Sequence, residues 1–327
     1  MAEPTHQTNS LEVAIGLIYD PSGKILIAKR GSHQELAGRW EFPGGKVEAR
    51  ETPAETIRRE LFEELDIKVS DPQPCFTFEY AYPKKTIRFY VFEIYQFSGN
   101  AIGKENQPIQ WIDPNRLSDF NLPDANAIIT DTLPLPKHYG ITPSLMSTND
   151  SAHWMDNILT AQQEHQLRLI QFRSPELTTA EYTEVAKQLQ SQLSSKRCKL
   201  ILNCEPELAM ALNADGVHLT QKRFITSWTE RDPSVEAFFE ERFVSVACHD
   251  LESLQLPQQR PINCALVSPV LPTQTHPDAK PLGWKPLTEL VKHSPVPVYA
   301  LGGLAPSDLE QAQQCGCYGM AGIRGFF

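Results

Sequence analysis

The stretch "GGKVEARETPAETIRRELFEELDI" (residues 44–67) decides how the first part of this chain is read. Its centre carries helix signals. Thr52 can cap, Pro53 suits a first helical position, and Glu55 stands three residues after the cap, as in a capping box. On a helix, positions i, i+3 and i+4 share a face, so Glu60, Glu63 and Glu64 converge on one patch. Like charges at that spacing repel, by about a few tenths of a kcal/mol per pair. A hard dication held by oxygen ligands would remove the repulsion. Mg²⁺ in particular is usually shared with substrate phosphates, which points to a nucleotide or another diphosphate. The plainer alternative is a solvated acidic face balanced by Arg58 and Arg59.

Outward from this stretch, "LEVAIGLIYDPSGKILIAKR" (11–30) reads as two apolar strands around an Asp-Pro-Ser-Gly turn. Further strands are expected at 75–82 and 86–97, then a loop containing "GKENQPIQW" and a helix starting near Pro123. "TLPLPKHYGITPS" has three prolines among few helix formers and marks a linker near 133–140. Beyond it the pattern becomes short apolar strands, "RLIQFR", "KLILN", "DGVHL", "FVSVACH", "CALVSPV", "VPVYALGG" and "GMAGIRGFF", separated by helical stretches such as "TTAEYTEVAKQLQSQL". Repeated β-α alternation predicts a parallel sheet closed into a compact (β/α)8 barrel. The expected division is 1–135 and 136–327.

Composition narrows the function classes. The chain of 327 residues has a formal charge of −10, and up to residue 137 and beyond it Lys+Arg number 15 against 20 Asp+Glu in each part. Neither part is a basic module, so a nucleic-acid polymer is not an expected partner. The N-terminus lacks the basic and apolar regions of a signal peptide, and no apolar run is long enough to span a membrane. Seven scattered cysteines, an odd number, fit a reduced cytoplasmic protein with no zinc site.

The spacing Gly45, Glu51, Arg59-Glu60, Leu61, Glu63-Glu64 and Ile67 resembles the box of the Nudix hydrolases, with Asp66 where that box has glycine. Asp tolerates the left-handed turn expected there better than most residues, so Asp66 should keep the backbone. Over residues 10–133 the chain is most similar to the MutT-type 8-oxo-dGTP diphosphatases, through "EFPGGKVEARETPAE", "GKENQPIQW" and "LPDANAII". The resemblance implies an α/β/α sandwich with a mixed sheet. It implies Mg²⁺ (Mn²⁺ as substitute) at Gly45, Glu60, Glu63, Glu64 and Glu105, and water attack at phosphorus helped by Glu64 or Glu105, an alternative the sequence leaves open. Arg59 would orient a carboxylate. Arg30, Phe42, Lys85 and Asn126 would contact the nucleotide, although Lys85 stands where that family often has arginine. An Asn amide offers both a donor and an acceptor to a purine edge. Three of these residues have a plainer reading: a helix cap for Asn126, a surface ion pair for Arg30, loop surface for Glu105.

Residues 138–327 resemble the thiamine phosphate synthase and TenI family, through "IQFR", "ILN", "ADGVHL", "VSVACHD", "SPVLPTQTHPDAKPLGW" and "ALGGL". The resemblance implies a TIM barrel with a ligand site at Gln171, Arg173, Asn203, His249, Thr273, Thr275, Gly302 and Gly303, and a phosphate-bearing ligand. Tight βα turns would also require the two glycines. Departures stand out. Cys204 and the Lys222–Arg223 pair replace acids that resemble magnesium ligands, and the lysines expected near Ser174-Pro175 and at His276 are missing. The expected function is Mg²⁺-dependent hydrolysis of 8-oxo-dGTP to the monophosphate and pyrophosphate, which limits mutation by cleansing the nucleotide pool, fused to a degenerate barrel. Rival readings are hydrolysis of thiamine-type pyrophosphates and a ligand-sensing regulatory barrel.

Overall fold

The computed structural model describes residues 11–31, 36–230, 232–259, 261–274 and 278–327, in two compact units, Met1–Pro134 and Leu135–Phe327. The first unit contains β1 (Leu11–Ile18), β2 (Ile25–Lys29), β3 (Trp40–Glu41), β4 (Gly44–Lys46), α1 (Pro53–Leu65), β5 (Gln73–Tyr82), β6 (Lys85–Ile94), β7 (Ile109–Ile112) and α2 (Asp124–Thr132). Four strands form a mixed sheet in the order β4-β1-β6-β5, with β1 and β6 parallel and the outer pairs antiparallel. A separate antiparallel sheet runs β3-β2-β7. The turn after β1 forms around Asp20, whose carboxylate accepts from the Ser22 and Lys24 N–H groups. The strands flanking it do not make the hairpin that the turn suggests. They pair only through Tyr19 and Ile25 and then part into the two sheets.

The helix α1 buries Ile57, Leu61 and Leu65 against Ala14, Ile18, Leu26, Phe92 and Ile94. Each such side chain contributes roughly 1.5–3 kcal/mol. Gly16 allows the approach, because a Cβ there would stand 3.0–3.3 Å from Ile94, Leu61 and Ile57. The Thr52–Glu55 capping box starts the helix, and Asp66 ends it at φ 58°, in the left-handed conformation. With its apolar stripe committed to the sheet, α1 carries Glu60, Glu63 and Glu64 outside that stripe, the first and last partly buried and Glu63 exposed.

The second unit is a closed barrel of eight parallel strands: β8 (His138–Ile141), β9 (Leu169–Phe172), β10 (Lys199–Leu202), β11 (Gly216–Leu219), β12 (Phe243–Cys248), β13 (Cys264–Val267), β14 (Val298–Leu301) and β15 (Gly319–Gly322). The first of these lies inside the proline-rich stretch read as a linker. Tyr318 and Tyr299 donate their hydroxyls to the Leu135 and Pro136 carbonyls, so the chain is tied to the barrel from residue 135 onward. Alternation sends Ile170, Phe172, Leu202, Cys204, Val217 and Leu219 outward to the helix layer. Gln171, Asn203, His218 and Ser245 therefore belong to the inward-facing positions. There the Ser245 hydroxyl sits 2.9 Å from His218 Nδ1 and 3.2 Å from the Tyr139 hydroxyl.

Candidate active site

The expected helix face exists, and an arginine organises it. Arg59 forks onto Glu51, with Nε–Oε1 at 2.8 Å and Nη2–Oε2 at 3.0 Å, while its Nη1 donates to Glu60 (2.9 Å) and Glu63 (3.1 Å). This holds Glu51 down to about 2 and raises Arg59 further. Glu60 lies against the Gly45 backbone. A Cβ on Gly45 would fall 2.1 Å from Glu60 Oε1, so only glycine leaves room for that carboxylate. Burial raises the Glu60 pKa. Glu64 accepts from the Gly44 N–H at 3.3 Å and is pushed up to about 8, first by burial and then by Glu60, Glu41 and Glu105.

The loop bearing Glu105 is docked on the end of α1. Lys104 N–H and the Gln107 amide both donate to the Glu64 carbonyl at 3.0 Å, and Ile102 N–H donates to Leu65. Gly103 makes the loop possible, since a Cβ would meet the Gln107 carbonyl at 2.0 Å. Glu105 itself is exposed, yet near enough to raise Glu64. Among the described residues no three acids, histidines or cysteines stand in metal-holding geometry. Glu60 and Glu63 are turned to Arg59 and Glu64 to Gly44. The donor chemistry, carboxylates beside a glycine that yields its side-chain space, nevertheless fits a hard dication such as Mg²⁺.

The other expected residues are more dispersed. Arg30 is committed to an ion pair with Glu41, both half-buried. Phe42 is buried. Asn126 is also buried, in the first turn of α2, and does not cap it; the cap position is Pro123, without a side-chain bond. Lys85 lies at the tip of the β5–β6 hairpin, 6.0 Å from the Tyr82 ring, which packs edge-on to Tyr80. Tyr80 in turn senses Asp124 at the start of α2.

Comparison with known proteins settles the kinship. Residues 14–132 match the NUDIX domain model, and residues 138–326 match the model described as thiamine monophosphate synthase. The chain belongs to both families. The N-terminal unit is 36% identical over 117 residues to the 8-oxo-dGTP diphosphatase of Haemophilus influenzae, covering 36% of this chain and 86% of that one. It is 30% identical over 112 residues to the CTP pyrophosphohydrolase of Escherichia coli, covering 34% of this chain and 83% of the relative. The barrel is 31% identical over 192 residues to a provisionally named thiamine-phosphate synthase 2 of Aquifex aeolicus, covering 59% of this chain and 98% of that one.

In the synthase-like barrel, Arg173 and Asn203 line a cavity of about 570 Å³ with Glu205, Thr220, Lys222 and Arg223. Gln171 is buried on β9, and its Oε1 has no partner among the described residues. His249 is exposed and donates Nδ1–H to the Ser268 carbonyl at 2.8 Å. Gly302 and Gly303 have positive φ, and a Cβ on either would collide with the backbone of Pro269 or Pro272. Close loop packing thus requires both, whatever they bind. Thr273 is half-buried, and Thr275 lies outside the described residues.

Two groups escaped the sequence reading. Glu41 becomes a neighbour of Glu64 through the fold, where β3 pairs with β2 and leads into β4, which packs on the helix. Its one local signal is an acid just before Phe42-Pro43-Gly44-Gly45. His218 is the other: it is enclosed in the barrel and pushed down to about 3 by burial, then by Arg223 and Arg173. An alternating strand gives no hint of that.

Proposed function

We propose that the Nudix unit hydrolyses 8-oxo-dGTP to 8-oxo-dGMP and pyrophosphate, so limiting mutation. The observation that carries this is the carboxylate constellation beside the Gly44-Gly45 turn, where Glu60 lies in the space a side chain on Gly45 would fill and Glu64 accepts from the Gly44 N–H. Glu60, Glu63, Glu64, Glu105 and the Gly45 carbonyl would hold Mg²⁺ or Mn²⁺, whose role is to neutralise phosphate charge and orient the anhydride. Arg59 fixes Glu60 and Glu63 against the Glu51 anchor. Water attacks phosphorus and the bond to the pyrophosphate oxygen breaks; the proton lost by water passes to Glu64 or Glu105.

Base choice is assigned to Asn126, buried in the first turn of α2, with Arg30, Phe42 and Lys85 as further substrate contacts. A site built around the C8 carbonyl and N7 proton of oxidised guanine rejects guanine because buried polar groups are left unpaired. The relative named for CTP hydrolysis supports a second reading, a different nucleoside triphosphate. Steady-state kinetics with Mg²⁺ on 8-oxo-dGTP, dGTP, CTP and thiamine-type pyrophosphates decide among these. Equal kcat/KM for 8-oxo-dGTP and dGTP would refute the oxidised-base reading. Seven free, buried cysteines support a reducing compartment, and we assign the protein to the cytoplasm. No helix of the described residues is long and apolar enough to cross a membrane. The barrel is assigned a phosphate-bearing small ligand, and no nucleic-acid polymer is a proposed partner.

A further inference from the structure

The residues at the barrel mouth do not fit the divalent metal that the family resemblance implies. Cys204 points outward into the helix layer, and burial pushes its thiol up to about 12, so it offers no thiolate or oxygen to the mouth. Lys222 and Arg223 stand where the other acid is expected, and Arg223 Nη1 donates to Asn203 Oδ1 at 2.9 Å. The remaining carboxylate, Glu205, is paired with Arg223 Nε at 2.7 Å. Arg173, Lys222 and Arg223 therefore set three cations against one carboxylate around the cavity of about 570 Å³. Among the described residues neither Arg173 nor Lys222 has an ion-pair partner. A dication entering here is repelled, while an anion is attracted.

We infer that the barrel mouth binds a phosphate or pyrophosphate group directly through Arg173, Lys222 and Arg223, without divalent metal. A guanidinium presents five N–H donors in a fork, so Arg223 keeps donors for an anion beyond those given to Glu205 and Asn203. Below Arg173, on the same side of β9, the buried Gln171 Oε1 lacks a donor among the described residues. A ligand hydroxyl or amine reaching past its phosphate would satisfy that oxygen. Nearby His218 is enclosed, and burial holds its pKa down, so Arg173, Lys222 and Arg223 remain the cations of the site. The mouth becomes a binding site for a phosphorylated small molecule and has lost the donors for metal-assisted loss of pyrophosphate. The inference concerns the barrel alone and does not rest on the Nudix reading.

The test is calorimetric titration of the full-length protein with inorganic pyrophosphate, first in EDTA and then in Mg²⁺. Binding is expected in EDTA, at least tenfold weaker in Arg173→Gln and in Arg223→Gln, and unchanged in Glu64→Gln. No binding in EDTA, or binding only with Mg²⁺, overturns the inference. So does binding lost in Glu64→Gln but kept in both arginine variants, which would place the ligand in the Nudix unit. Should Arg223→Gln fail to fold, Lys222→Gln carries the test, since Lys222 is exposed. It must weaken binding in EDTA, and an undiminished affinity there counts against the site.

Discussion

Replacing Glu64 by Gln should abolish turnover and yet stabilise the metal-free protein, increasingly as pH rises. Glu64 is held up to about 8 in the fold, against 4.5 for an ordinary glutamate. Between these values the unfolded chain has released the proton and the folded chain still holds it. Stability therefore falls as pH rises through that window and levels off above the folded value, by about 1.4 kcal/mol per pH unit at most. From pH 6 to pH 8 the ceiling is about 2.7 kcal/mol. Partial exposure of Glu64 to solvent reduces this to about 1–2 kcal/mol. Gln has nearly the same shape, can accept from the Gly44 N–H and does not titrate. The gap between variant and wild type should thus widen by several degrees of Tm between pH 6 and pH 8.5. Scanning calorimetry of both proteins in EDTA measures it, through the transition of the Nudix unit. Saturating Mg²⁺ should stabilise the wild type alone and narrow the gap. A gap that does not change with pH, or a wild type that gains on the variant at pH 8.5, refutes the account of Glu64 as a buried acid crowded by other carboxylates.

Gly45→Ala should lower kcat/KM at least tenfold with little loss of fold, because its methyl displaces the Glu60 carboxylate; circular dichroism and kinetics check both halves. Arg59→Lys removes the fork onto Glu51 and the bonds to Glu60 and Glu63, and should cost about 1–3 kcal/mol of stability along with activity, measured by urea unfolding and initial rates. Asn126→Ala should reduce the preference for 8-oxo-dGTP over dGTP more than it reduces turnover of dGTP, as competition kinetics would show. Asp66→Gly should leave turnover unchanged and shift stability by no more than about 1 kcal/mol. The left-handed conformation suits glycine, and the Asp66–Lys104 pair at 3.2 Å is exposed.

The sequence by itself determined the elements whose signals are local. The Thr52–Glu55 capping box, the i, i+3, i+4 placement of Glu60, Glu63 and Glu64, the left-handed Asp66 and the β-α alternation of the barrel all depend on neighbours within a few residues. Tertiary structure decided what depends on pairing across the chain. β1 and β2 share a turn but enter different sheets, and "HYGI" is a barrel strand because β15 and β9 flank it. Glu41 joins Glu64 through the β2–β3 pairing, and Arg59 turns two of the expected ligands toward itself. At the barrel mouth the sequence shows Lys222 and Arg223 where an acid is expected, but only the closed barrel brings Arg223 to Asn203 and, with Arg173, around His218. Local propensity acts along the chain, whereas charge and burial act through space. The spacing of the glutamates along one helix was therefore legible in the sequence, and their partners and burial were not.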